Sequence, residues 1–225
     1  MQQNNIYETG QVLLINKPLQ WTSFDVVRKI RSAIKIKKVG HAGTLDPLAT
    51  GLLILCTGKF TKRINEFMAQ EKEYTGTITI GATTPTYDLE SEPENFKDYT
   101  TVTATRVAEV VKQYTGEIMQ IPPMHSAIKK DGKRVYELAR MGMTVELEPR
   151  KLFIKEFEIV SMDLPQIQFR VVCSTGTYIR SLANDVGVSL GCGAYLSSLC
   201  RTRIGSFTIK EAMTMDEALK RIANP

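Results

Sequence analysis

The alternation of apolar and polar positions divides the chain into short strands and helices from one end to the other. QVLLI (11–15) reads as a strand. Thr22 with Asp25 three residues later is a capping-box pattern, and Val26, Val27, Ile30, Ala33 and Ile34 then recur at helical spacing. GLLILC (51–56) is a short unbroken apolar run, as expected of a strand buried on both faces. Residues 60–69 read as helical. In KEYTGTITIGA (72–82) Tyr74, Gly76, Ile78 and Ile80 share one face of a strand and threonines line the other. Residues 82–100 are polar and turn-rich. Residues 103–114 predict a helix with Val107, Val110, Val111 and Tyr114 inward, closed by Gly116.

IPPMHSAIKKDGKRVYELARMG (121–142) breaks this rhythm. It opens on two prolines, carries many charges and has a helical stretch from Lys133, so it reads as a lobe that leaves the sheet and returns near Pro149. KLFIKEFEIV (151–160) and PQIQFRVVCS (165–174) predict a strand pair turning at 163–165. TYIRSLANDVGVSL (177–190) places Ile179, Leu182, Ala183, Val186 and Leu190 on one helical face. Thr214 with Glu217 caps a last short helix. Strands and helices mix without strict βαβ alternation, which predicts an α+β fold, and no repeat or linker divides the 225 residues.

Composition narrows the classes. A chain of this length, 43% hydrophobic, can bury one large core. Its apolar runs are far too short to cross a bilayer, and MQQNNIYETG lacks the basic-then-apolar order of a secretion signal. Cys56, Cys173, Cys192 and Cys200 form no C-x-x-C pair, which favours reduced thiols in the cytoplasm over disulfides or zinc. Two histidines, His41 and His125, exclude a histidine-rich metal centre. The net charge of +5 says little; its distribution says more. Basic residues gather at Arg28, Lys29, Arg31, Lys35, Lys37 and Lys38, at Lys129, Lys130, Lys133 and Arg134, and at Arg180, Arg201 and Arg203. Such groups are either solvated faces or patches that follow a phosphate backbone.

The candidate chemistry lies in VGHAGTLDPLATGLLIL (39–55), where a single carboxylate, Asp46, sits in a glycine-rich turn. A phosphoryl-accepting aspartate would need a second acid two residues on, and Leu48 stands there. A P-loop would need a G-K-[ST] ending, and none follows. A plain Asp-Pro turn remains open on these residues alone.

The stretch G-H-x-G-T-L-D-P-x-A-T-G-x-L resembles the active-site motif of the TruB-type tRNA pseudouridine synthases. Further blocks follow in the family's order: N-K-P-L-Q-W-T-S-F-D (16–25), K-E-Y (72–74), Q-x-P-P-M-H-S-A-x-K-x-x-G-K-R-V-Y-E-x-A-R-M-G (120–142), S-T-G-T-Y-I-R-S-L-A-N-D-V-G (174–187) and L-G-C-G-A-Y-L-x-x-L (190–199). The resemblance spans nearly the whole chain. It implies the pseudouridine synthase fold, a mixed and mostly antiparallel sheet flanked by helices, with residues 121–150 inserted as an RNA-binding thumb. It implies isomerisation of one uridine to pseudouridine in the T arm of tRNA, conventionally position 55, without metal or cofactor. It also implies a stand-alone, monomeric, cytoplasmic enzyme whose partner is tRNA rather than a protein or a membrane.

Residue by residue, the resemblance makes Asp46 the nucleophile, with attack on the base or on the sugar left open. His41 fills the space of the flipped base, Tyr74 stacks on the uracil, and Leu199 lines the pocket. Tyr178 orients the base or takes the C5 proton, and Arg180 pairs with the aspartate. Lys17, Pro18, Gly43 and Thr44 support the site, and Lys129, Lys130, Lys133 and Arg134 contact the RNA backbone. As ordinary residues these would be a turn histidine, core side chains and a helix start. The chain departs from the family at Gln20, where glycine is usual, at His125, where tyrosine is usual, and at Thr175, where lysine is common. Ending at Pro225, it is expected to lack the C-terminal RNA-binding domain of larger relatives. Two alternatives stand beside this reading: a tRNA-folding chaperone, and a synthase acting on another RNA.

Overall fold

The computed structural model describes residues 5–126, 128–130, 132–143 and 145–224. After a short α1 (Ile6–Thr9), strand β1 (Val12–Lys17) leads to α2 (Ser23–Ile34). The expected capping box is present: the Asp25 N–H donates to Thr22 Oγ1, and the Asp25 carboxylate accepts from the Thr22 N–H. Val26, Val27, Ile30 and Ile34 are buried on one face of α2, and Ala33 is half-buried at its margin. Strands β2 (Val39–His41) and β3 (Ala49–Thr57) follow, then a 3₁₀ turn at 58–63 and α3 (Ile64–Met68). Next come β4 (Lys72–Ile80), the irregular 81–103 segment, α4 (Ala104–Gln113) and β5 (Gly116–Gln120). A small hairpin of β6 (Lys129–Lys130) and β7 (Lys133–Arg134) runs into α5 (Val135–Arg140). The chain then forms β8 (Arg150–Asp163), β9 (Gln166–Cys173), α6 (Ile179–Leu190), β10 (Ala194–Ile204), β11 (Phe207–Thr208) and α7 (Met215–Ala223).

The chain divides into two compact units, residues 1–75 with 199–225, and residues 76–198. In the first unit β3 is the central strand. It pairs antiparallel with β1 along one edge. Along the other edge it pairs with two strands in succession, parallel with β10 at 49–51 and antiparallel with β2 at 55–57. Leu53 and Leu55 pack against α2 and α7 through Val26, Val27, Ile30, Met215 and Ala218. Leu52, Ile54 and Cys56 point the other way, onto Phe67 and Ile204. Burial on both faces is why GLLILC shows no alternation. Gly51, φ 103°, is where β3 and β10 approach most closely: a Cβ there would lie 2.3 Å from the Arg201 carbonyl oxygen. No other residue fits.

In the second unit β8 pairs antiparallel with β9 on one side and with β5 on the other. Phe157 and Phe169 meet edge to face across β8 and β9, with ring centroids 5.9 Å apart. Helix α6 buries Ile179, Leu182, Ala183 and Val186, as its spacing predicts. Helix α4 joins it through the Tyr114 hydroxyl, which donates to the Asp185 carbonyl at 3.0 Å. The mixed, mostly antiparallel sheet flanked by helices agrees with the expected fold class.

Three details differ from the pattern reading. Helix α4 ends at Gln113, and Gly116, φ 92°, opens strand β5 rather than closing the helix. Strand β5 escaped notice because GEIMQ is only five residues long with one charge. Strand β10 escaped it because AYLSSLCRTRI carries serines and two arginines on a strand whose arginine at 201 is buried.

Gln20 adopts a left-handed backbone, φ 65°, where the family pattern has glycine. That conformation costs a residue with a Cβ about 1 kcal/mol. Gln20→Gly is therefore expected to raise the melting temperature by about 2–4 °C in a calorimetric scan, and a lowered value would contradict this strain.

Candidate active site

Asp46 lies in the turn 42–48 that carries the chain from β2 into β3. Backbone bonds pin both ends: the Ala42 N–H donates to the Ile54 carbonyl at 2.9 Å, and the Ala49 N–H to the Asp46 carbonyl at 3.1 Å. Gly43 takes φ 95°, which an L side chain would strain. Ser23, buried in the first turn of α2, holds Leu45 twice. Its hydroxyl accepts from the Leu45 N–H at 2.8 Å and donates to the Leu45 carbonyl at 3.2 Å. The Pro47 carbonyl accepts from the Gln20 N–H at 2.8 Å and from Lys17 Nζ at 3.3 Å.

Two buried cations flank this turn. Lys17 at the end of β1 is 0% exposed, and its ammonium also donates to the Pro18 and Trp21 carbonyls. Burial pushes its pKa down to about 8; the Asp46 carboxylate pulls it up and Arg201 pushes it down. Arg201 on β10 is 1% exposed. Its Nε donates to the Leu52 carbonyl at 2.8 Å, and its two terminal nitrogens donate to the Thr44 carbonyl at 3.3 Å and the Gly43 carbonyl at 3.1 Å. The third basic group of the sequence is thus neither a solvated face nor a phosphate-tracking patch. Arg180 is 4% exposed, and Arg203 pairs with Glu71 at 2.9 Å.

The other expected residues of the first unit lie on strands around this turn. Leu199 sits opposite Ala49 in the β3–β10 register, and its carbonyl accepts from Thr50 Oγ1 at 3.4 Å. Tyr74 is buried on β4, one residue beyond Glu73, whose carboxylate accepts from Thr202 on β10. His41 pairs with Leu55 at the end of β2. Burial lowers the His41 pKa below its usual value; a backbone hydrogen bond at Gly43 raises it and Arg201 lowers it further. Its Nδ1 is buried without a hydrogen-bond partner. The imidazole is therefore neutral at pH 7.

Tyr178 and Arg180 belong to the second unit, at the start of α6. Gln120 at the end of β5, 1% exposed, brackets the Tyr178 backbone: its amide accepts from the Tyr178 N–H at 2.9 Å and donates to the Tyr178 carbonyl at 3.1 Å. Arg180 donates to the Thr86 carbonyl at 3.2 Å and the His125 carbonyl at 2.9 Å, and its Nε lies 3.7 Å from the Asp88 carboxylate. At His125, a departure from the family pattern, the backbone thus anchors Arg180. The side chains of Lys129, Lys130, Lys133 and Arg134 lie outside the described residues; their backbones form the β6–β7 hairpin. Sequence reasoning missed Ser23, Gln120 and Arg201 as site supports. Gln120 opened a recognised block, whereas Arg201 carried no sign that it was buried.

The neutral state of His41 has a signed consequence. Its folded-state pKa lies below the unfolded one, so its contribution to stability is present above pH 6.5 and is lost as pH falls, because the unfolded chain takes the proton first. The wild type should lose more melting temperature between pH 7 and pH 5 than His41→Gln. Equal losses would contradict an imidazole kept neutral in the folded state.

Comparison with known proteins agrees with this geometry. Residues 31–179 match the TruB family pseudouridylate synthase N-terminal domain, and residues 180–224 the tRNA pseudouridylate synthase B C-terminal domain. The tRNA pseudouridine synthase B of Flavobacterium johnsoniae is 55% identical over 92% of this chain and 93% of its own length. That of Chloroherpeton thalassium is 46% identical over 97% of this chain and 93% of its own. Among solved structures, a chain of a Cbf5–Nop10–Gar1 complex superposes with a TM-score of 0.75 at 29% identity over 95% of this chain, which spans 54% of that longer one. With its family models covering residues 31–224 and its turn 42–48 built around a single carboxylate, the chain belongs to the TruB family of pseudouridylate synthases.

Proposed function

We propose that the protein isomerises a uridine of tRNA to pseudouridine, at position 55 in the T arm, by flipping the base out and using Asp46 as the nucleophile on the flipped nucleotide. The observation that carries this reading is the Asp46 turn. One carboxylate of the family motif is held by backbone bonds between buried Lys17 and buried Arg201. The relatives that share this chain's length and about half its residues are named tRNA pseudouridine synthase B.

The reaction moves one bond. The N1–C1′ glycosidic bond breaks, a C5–C1′ bond forms, the C5 proton leaves and N1 gains a proton, so no atom is added. A carboxylate nucleophile carries the intermediate, whether it adds to the pyrimidine or to the sugar carbon. Water must be kept out, since hydrolysis would release the base. A turn whose carbonyls face buried cations suits that need better than a solvated loop. Neutral His41 can stand where the flipped base stood without bringing a charge into the stack. Tyr74 supplies a buried ring for stacking, worth about 1–3 kcal/mol in such contacts. Leu199, paired with Ala49 where the turn enters β3, is proposed to line the pocket. Tyr178 is proposed to orient the base or receive the C5 proton, and Arg180 to pair with the Asp46 carboxylate. The 121–150 segment is proposed as the thumb that grips the RNA backbone through Lys129, Lys130, Lys133 and Arg134.

Asp46→Asn should fold, bind tRNA with a Kd within about twofold of wild type, and release no tritium from tRNA labelled at uridine C5. Turnover by a preparation free of wild-type enzyme would remove Asp46 from the nucleophile's role. Four phosphate contacts from the thumb predict a log–log salt slope near −3 for tRNA binding, about a 60-fold loss between 50 and 200 mM salt. An affinity that stays flat over that range would contradict the thumb as the clamp.

A further inference from the structure

We propose that Arg201 is a positioning residue for the isomerisation: its guanidinium sets the conformation of the turn that carries Asp46. The proposal rests on the function given above and deepens it, since it names what holds the nucleophile. The three carbonyls that Arg201 engages come from two places. Gly43 and Thr44 are successive residues of the turn, and Leu52 lies on β3. The side chain therefore ties the turn to the central strand of its unit.

The β3 edge explains why a donor is needed there. Ile54 turns its carbonyl toward β2, where the Ala42 N–H meets it. Carbonyls two residues apart along a strand point the same way, so the Leu52 carbonyl faces this edge too. It lies between the β10 pairing, which ends at Gly51, and the β2 pairing, which begins at Leu55. Arg201 Nε fills that break in the ladder. With no side chain at Gly51 the Arg201 backbone lies close against β3, and from there its guanidinium reaches Gly43 and Thr44. A packed apolar side chain would serve stability at least as well as a buried cation. What it could not do is hold two successive turn carbonyls with one rigid planar fork. Leu199, two residues earlier on β10, pairs with Ala49 at the end of the same turn, so one strand sets both the pocket side and the nucleophile side.

The test compares wild type with Arg201→Lys, which keeps the charge and loses the fork. The single-turnover rate at saturating tRNA should fall about 10- to 100-fold, as misplaced catalytic groups cause, while the tRNA Kd stays within about twofold. A merely structural arginine, assayed well below the melting temperature, would leave that rate unmoved, and an unchanged rate in a folded variant overturns the proposal. So does a loss confined to Kd. Should Arg201→Lys fail to fold, amide hydrogen exchange on the wild type decides. The Leu45 amide, within the turn, is expected to be as protected as those of β3; its exchange within seconds while β3 stays protected overturns the clasp. A wild type that makes no pseudouridine defeats the function itself, and the exchange measurement then still judges the clasp separately.

Discussion

Buried positive charge neutralised by backbone carbonyls is the interaction around which the Asp46 turn is organised. Lys17 and Arg201 are essentially inaccessible to solvent, and the hydrogen bonds of each go to peptide oxygens. Taking an ion out of water costs several kcal/mol, and hydrogen bonds to a charged group return about 1.5–3 kcal/mol each. The two nearly cancel. What the arrangement yields is conformational definition rather than net stability: removing either cation would take a donor from the carbonyls that shape the turn.

The first unit supplies this frame through β3. Because β3 is buried on both faces and hands its outer edge from β10 to β2, it leaves one break in its ladder, next to the turn. Ser23 at the α2 N-terminus and Gln20 just before the helix hold the turn from the other side. Asp46 thus sits on a loop with the constraints of a strand, which is what the proposed pre-organised chemistry requires. In the second unit Gln120 and the carbonyls of Thr86 and His125 do comparable work for Tyr178 and Arg180.

Much of this was legible in the sequence where a local rule applied. The capping boxes at Thr22 and Thr214, the stripes of α2 and α6, and the buried run in β3 all follow from periodicity and were found as expected. Asp46 and its turn were legible through the family motif. Strand β10 was not, because its polar residues reflect long-range partners rather than solvent: Thr202 meets Glu73, Arg203 meets Glu71, and Arg201 meets carbonyls some 150 positions away. An arginine's partner is invisible in a linear pattern when that partner is a peptide oxygen, since every residue has one. The same holds for Ser23, whose hydroxyl reads as a helix-start residue until the Leu45 peptide is seen against it.

Where on the RNA the product forms is the most direct test of the proposed isomerisation. The direct measurement is to incubate an unmodified tRNA transcript with the wild-type protein in buffer containing EDTA and map pseudouridines by carbodiimide labelling and reverse-transcription stops. A single stop in the T loop at position 55 is the predicted result. No stop, or stops only elsewhere in the RNA, would contradict it.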